Sequence, residues 1–163
     1  MKKSINLELK MSELIFDIQN KTYLTGRSLS DGNNHSHVAN MQANDDNENE
    51  SQILRSITNP YAVLRNLLSE YIEEGENSSN NDSLQTGDTI VVRLKMPSNF
   101  NASVTKTIRE AAHQFIVATA IADWFAITAK GETSDYTVVA ETSLKVLEKA
   151  LCKRTRPKRS SDN

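Results

Sequence analysis

Apolar and polar positions alternate in two short segments of the chain and recur at helical spacing over much of the remainder. In residues 4–10, apolar side chains occupy every second position from Ile5 to Leu9, and residues 89–96 repeat this pattern from Ile90 onwards. A period of two indicates a strand with one buried face. The two segments are therefore predicted to pair into a ribbon that covers one side of a helical core, because an isolated pair is only marginally stable.

A first helix is predicted directly after the first strand segment. It spans residues 12–25, with Ser12 as its cap and Gly26 as its end. The polar residues that follow are rich in glycine and asparagine, which is typical of a loop. We therefore expect a mobile loop at about residues 28–34.

The next helical pattern is weaker and is divided in two. Residues 38–57 are acidic and only weakly periodic, and polar residues interrupt the pattern at positions 45–49. Asn59 followed by Pro60 suits the start of a helix, since asparagine caps well and proline is tolerated at the first helical position. A separate helix is predicted from there to Gly75, followed by a second mobile loop at residues 76–88.

The longest predicted helix follows a cap at Asn101 and carries apolar residues at alternating spacings of four and three. Such spacing produces a packing seam along one side of a helix. The seam consists of Val104, Ile108, Ala111, Phe115, Ala118, Ala122 and Phe125. A last helix, at residues 134–152, has a single apolar stripe, and we expect it to bury the seam within the protomer.

The second half of the long helix is also apolar away from the seam. Ile121 and Trp124 lie on one further side and Ile127 lies on another. A helix that is apolar all round must be surrounded, either by its own chain or by other copies of it. Burial within one chain is the preferred interpretation, and a subunit interface at Trp124, Ile121 and Ile127 is the alternative.

These elements predict a mainly α fold, a helical bundle around one long central helix with a small two-stranded β ribbon. A chain of 163 residues suits one domain. Residues 1–152 are predicted to form it, and residues 153–163 a basic C-terminal tail. The apolar run at residues 111–129 is close to membrane-spanning length, but it includes the unpaired charge of Asp123, so no membrane contact is expected.

Charge is distributed unevenly along the chain. The formal net charge is -2, yet residues 41–88 hold ten acidic and two basic side chains, a balance of -8 that leaves +6 elsewhere. The tail concentrates five bases, which are Lys153, Arg154, Arg156, Lys158 and Arg159. Three interpretations stay open for them: contact with DNA phosphates, the usual preference of helix C-termini for cations, and docking on an acidic patch of a neighbouring subunit.

Catalytic and metal chemistry is not indicated by the sequence. His35 and His37 have the residue type of metal ligands but stand in a predicted loop that supplies no rigid frame. His113 and Asp123 are ten residues apart on one helix, about 15 Å along its axis, so they cannot form an acid–base pair. No phosphate-binding glycine loop or hydrolase motif is present. We expect no enzyme, no cofactor and no metal, and we expect the single cysteine, Cys152, to be an inert thiol in a reducing cytoplasm.

Several segments of the chain carry a family resemblance. DIQNKTYLTGR, HVANMQA, LKMPSNFN, ADWFAIT and RTRPKR together resemble a family of small proteins of tailed phages and prophages of Bacteroides-type bacteria. The resemblance implies a virion structural protein, such as a head–tail connector or adaptor that forms a ring in the neck. Its partners would be portal, tail or neck proteins, and it would occupy the host cytoplasm during assembly and then the virion. The alternative is a helical nucleic-acid-binding or regulatory protein that uses the basic tail.

Overall fold

The computed structural model describes residues 1–73 and 85–159, and this part of the chain is mainly α-helical with a small β ribbon. Strand β1 (Lys3–Lys10) pairs antiparallel with β2 (Thr89–Met96), in a register that places Lys3 opposite Met96 and Lys10 opposite Thr89. The strand boundaries match the alternating segments to within one residue, and the inward apolar residues of both strands are buried except Ile5, which is partly buried. The predicted ribbon is confirmed.

Helix α1 (Met11–Ser28) begins directly after β1 and is longer than predicted. Gly26 does not end it but lies inside it, at the point where α2 (His35–Met41) crosses. A Cβ atom on Gly26 would lie 3.1 Å from the carbonyl oxygen of Val38, so the glycine is needed for close approach of the two helices. His35 and His37 are consequently in a short helix, and the prediction of a loop at these two positions was wrong.

Helix α3 (Asn47–Leu67) corrects the predicted boundary at Pro60. The helix continues through Pro60 and ends at Leu67, whereas Gly75, the predicted end, lies outside the described residues. An interior proline costs about 3 kcal/mol because it removes a hydrogen bond and crowds the preceding turn. Here Ile53, Ile57, Pro60 and Leu64 form one continuous buried stripe, and each large apolar side chain contributes about 1.5–3 kcal/mol, so packing outweighs that cost.

The long helix α4 (Thr105–Thr128) is the centre of the molecule and follows a 3₁₀ turn (Ala102–Val104). Asn101, predicted to cap the long helix, instead caps this preceding turn, where its side chain accepts a hydrogen bond from the backbone N–H of Ser103 (3.1 Å). Helix α5 (Thr133–Leu151) has the most extensive contact with α4, and α3, α1, β1 and α2 cover other sides. From Ile108 to Phe125 every seam residue is buried, and the rings of Phe125 and Tyr136 lie 5.5 Å apart.

Length and composition would allow the span Ala102–Thr128 to cross a membrane. However, 56% of its most apolar stretch is buried inside the protein. The core helix of a globular domain has the same properties, because it is surrounded by its own chain.

Replacing Phe115 with alanine is expected to lower the free energy of unfolding by about 3–5 kcal/mol, because the substitution removes a buried aromatic side chain and leaves a cavity. Chemical denaturation followed by far-ultraviolet circular dichroism measures the change. Phe16, whose side chain is 64% exposed on α1, provides the matched control, and Phe16→Ala is expected to change the same free energy by about 0.5 kcal/mol or less. Equal losses in the two variants would contradict the assignment of the seam to the core.

Candidate functional site

Two of the three residues named as a possible subunit interface are buried within the protein. Ile121 is fully buried, and Trp124 is 7% exposed with its indole N–H donating to the backbone oxygen of Met41 (2.8 Å). The alternative of an interface at Ile121 and Trp124 is therefore wrong, and the preferred interpretation, burial by the same chain, holds for both, since α2 and α3 lie against α4. Ile127 is 67% exposed, and an interface there stays a prediction.

Two polar side chains of α4, His113 and Asp123, form hydrogen bonds with neighbouring helices. Asp123 accepts a hydrogen bond from the hydroxyl of Ser56 (2.6 Å), and His113 lies 2.6 Å from a carboxylate oxygen of Asp17. His113 and Asp123 thus have separate partners, in agreement with the expectation that they do not pair. Among the described residues no group of three or more His, Cys, Asp or Glu side chains is arranged to hold a metal ion.

A cleft of about 520 Å³ opens between the β1–α1 junction and the first half of α4. Its walls carry charges of both signs, and part of this charge is paired within the chain. Lys10 lies 3.5 Å from Glu13, and His113 contacts Asp17. Arg109 and Glu110 add one charge of each sign. With Glu8 the lining holds four acidic side chains against Lys10, Arg109 and His113, so neither sign of charge is concentrated there, and the cleft is a weak candidate for a binding site.

The first residues of the basic tail are held against the rest of the fold. The backbone N–H of Asn101 donates to the oxygen of Lys153 (3.1 Å), and the N–H of Thr155 donates to the oxygen of Asn99 (2.8 Å). Arg154 donates from its guanidinium to the oxygen of Leu151 at the end of α5 (2.8 Å). The tail thus begins as a short strand-like segment that pairs with residues 99–101. The distribution of charge along the sequence does not predict this contact between distant parts of the chain.

Lys3, the first residue of β1, also contacts the turn formed by residues 99–101. The ammonium group of Lys3 donates to the backbone oxygen of Phe100 (2.8 Å), and the ribbon register places Lys95 opposite Ser4. Lys2 precedes Lys3 and is exposed. We call the resulting surface the basic end. It comprises Lys2, Lys3, Lys95, Lys153 and Arg154.

Beyond Thr155 the tail continues with cations that have no hydrogen bond or ion pair to the described part of the protein. Arg156, Lys158 and Arg159 are all exposed, and Pro157 between them favours an extended backbone. We call residues 156–159 the projecting segment. Lys153 and Arg154 therefore belong to a fixed surface, whereas the other three predicted contact residues extend away from it.

Acidic residues collect at the other end of the molecule. Asp45 and Asp46, between α2 and α3, and Glu48, in the first turn of α3, are exposed. The hydroxyl of Thr86 contacts the carboxylate of Glu50, which brings the exposed Asp88 to the same region. We call these five residues the acidic corner. Asp88 directly precedes β2, whereas the basic end lies where β2 ends. The length of β2, seven intervals of about 3.4 Å, therefore separates the acidic corner from the basic end by about 24 Å.

Contacts with the two ends of α4 also show that the basic end and the acidic corner are far apart. The basic end adjoins Asn101, just before α4, whereas Met41 and Ser56, which flank the acidic corner in sequence, contact Trp124 and Asp123 near the end of α4. From Thr105 to Asp123 a helix rises about 27 Å. The two charged regions therefore lie near opposite ends of α4.

No protein-family model matches the chain, and neither a curated protein nor a solved structure is significantly similar to it. The resemblance to phage structural proteins therefore stays a prediction.

Thr155→Pro is expected to detach the tail, because proline has no N–H to donate to Asn99. The amide of Asn101, which bonds to Lys153, should then exchange its hydrogen at least about tenfold faster, as expected for loss of roughly 1.4 kcal/mol of local protection. Hydrogen exchange measured by nuclear magnetic resonance detects the change. Thr155→Ala keeps the N–H and is the control; unchanged exchange at Asn101 in the proline variant would contradict the tail contact.

Proposed function

We propose that this protein is a structural subunit of a phage particle, a head–tail connector or adaptor that associates head to tail into a ring in the neck. The observation that carries the proposal is the separation of charge between the acidic corner and the tail at opposite ends of one protomer. Head-to-tail contacts need two different and complementary surfaces, and they close into a ring when the rotation between subunits allows it. The sequence resemblance supports the phage setting.

In this proposal the projecting segment of one subunit contacts the acidic corner of the next. Arg156, Lys158 and Arg159 are exposed and extend beyond the last backbone contact at Thr155, so they are available to a neighbour. Exposed ion pairs contribute only about 0–1 kcal/mol each. Their main effects are to orient the subunits and to accelerate encounter, so that assembly is strongest on a template of portal or neck proteins.

Apolar contact is expected to supply a further part of the association energy. Helix α5 is covered on one side by α4, and its outer side exposes Val138, Val139 and Val146. Ile127, at the end of α4, is also exposed. Burying such side chains contributes more per residue than an exposed ion pair does.

A pair of charge-reversal variants tests the contact. Asp45→Lys, Asp46→Lys and Glu48→Lys together change the formal charge of the acidic corner from -5 to +1. Arg156→Glu with Lys158→Glu changes that of the projecting segment from +3 to -1. Each variant alone places like charges together, so its incorporation into particles, and its cross-linking into oligomers at low ionic strength, should fall about tenfold. A mixture of the two variants should recover most of the oligomer, because the basic corner of one matches the acidic segment of the other.

The control for this experiment reverses charge elsewhere. Glu8→Lys with Glu110→Lys changes two exposed carboxylates in the cleft lining, outside the acidic corner and outside the exposed side of α5, and should leave assembly within about twofold of the native level. Mass spectrometry of purified particles measures incorporation of each chain. Absence of the native chain from particles would overturn the proposed function, whereas normal incorporation of both reversal variants would overturn only the charge contact.

A further inference from the structure

The basic end differs from the projecting segment because its cations come from several parts of the folded domain. Its cations come from three distant parts of the chain, residues 2–3, 95 and 153–154, and backbone hydrogen bonds hold these parts together around residues 96–101. The side chains of Lys2, Lys95 and Lys153 are exposed. The backbone of β1, of β2 and of residues 153–155 is therefore held to the rest of the domain, so the cations of the basic end are not part of the projecting segment.

One carboxylate offsets part of the charge of the basic end. Glu73 is bonded through its backbone N–H to Arg93 of β2, and its carboxylate accepts a hydrogen bond from the hydroxyl of Ser4 (2.8 Å), the residue that pairs with Lys95. The five cations of the basic end outnumber this single anion. Exposed Ser98 and Asn99 add neutral polar groups at the centre of the surface.

We propose that the basic end binds the phosphate backbone of double-stranded DNA without regard to base sequence. Lysine and arginine, together with serine and asparagine side chains, are the groups that commonly contact DNA phosphates. A duplex carries one negative charge about every 1.7 Å along its axis, counted over both strands. Cations on a surface that faces the duplex can therefore reach phosphates without a fixed match to the spacing of the lysines.

DNA fits this surface better than an acidic protein does. A protein presents carboxylates at fixed positions, which must match Lys2, Lys95 and Lys153 individually, whereas a duplex presents a continuous line of charge. The acidic corner of a second copy is matched in the proposed assembly by the projecting segment. The DNA contact thus goes beyond the proposed function and uses different residues, and in a ring it would be repeated once per subunit, which multiplies a weak contact.

The test measures binding of the full-length protein to a fluorescently labelled DNA duplex of mixed sequence, by anisotropy, at several salt concentrations. Lys2→Gln, Lys95→Gln and Lys153→Gln are combined in one variant, which leaves the structural hydrogen bonds of Lys3 and Arg154 intact. Each lost phosphate contact reduces the slope of log affinity against log salt by about 0.9, so the slope should fall by about 2–3 and the affinity at low salt by about tenfold or more.

The matched control removes the same charge from other parts of the surface. Arg27→Gln, Arg55→Gln and Lys130→Gln change three exposed cations on α1, on α3 and in the α4–α5 connection. This variant should bind DNA within about twofold of the native protein, because screening limits the effect of distant charge. Equal losses in the two triple variants, or no loss in the first, would overturn the proposal.

Two further measurements separate this inference from its rivals. Poly-glutamate, used as a competitor at equal charge, should displace DNA poorly, and displacement as strong as that by unlabelled DNA would overturn the proposal in favour of an acidic protein. The variant with Arg156→Gln and Lys158→Gln, which removes charge from the projecting segment without adding acidic groups beside the basic end, should keep a larger share of the native affinity for DNA than the Lys2, Lys95 and Lys153 variant does. Loss of nearly all DNA binding in that variant would move the site to the projecting segment and overturn the assignment to the basic end.

Discussion

The rest of the structure depends on the need to surround the second half of α4. Ala120 and Phe125 are both buried and lie about 140° apart around the helix axis, at about 100° per residue, so no single neighbour can cover them. Helix α5 covers the seam, while α3, α2 and α1 cover other sides. The outer side of each covering element is exposed to solvent. Because α2 and α3 both pack near the C-terminal end of α4, the acidic residues in their connection and at the start of α3 lie at that end.

Local periodicity predicted the elements, and it failed where tertiary contact overrides a local signal. The ribbon and the seam follow from spacing alone, because period two and period 3.6 leave different traces in a sequence. Gly26 and Pro60 have strong helix-ending tendencies, yet both lie inside helices. The glycine permits close contact with α2, and the proline is part of a buried stripe, and neither reason is visible within a few residues of sequence.

The candidate surface was predicted only in part, for a related reason. The tail is a run of bases in the sequence, so Arg156, Lys158 and Arg159 could be identified directly. Pairing of the predicted strands in this antiparallel register would also have placed Lys95 opposite Ser4, at the same end of the ribbon as the N-terminal lysines. The position of Lys153 against Asn101 depends on two backbone hydrogen bonds between segments some fifty residues apart, and no short-range pattern encodes them.

The hydrogen bond from Trp124 to Met41 joins the core helix to the end of α2. Trp124 is the single tryptophan of the chain, and its indole is almost completely shielded from water. The emission of an indole responds to the polarity around it, and here that environment includes the carbonyl at the end of a seven-residue helix. The protein thus contains its own optical reporter, which would signal undocking of α2 without any attached label, even while the remaining helices stay folded.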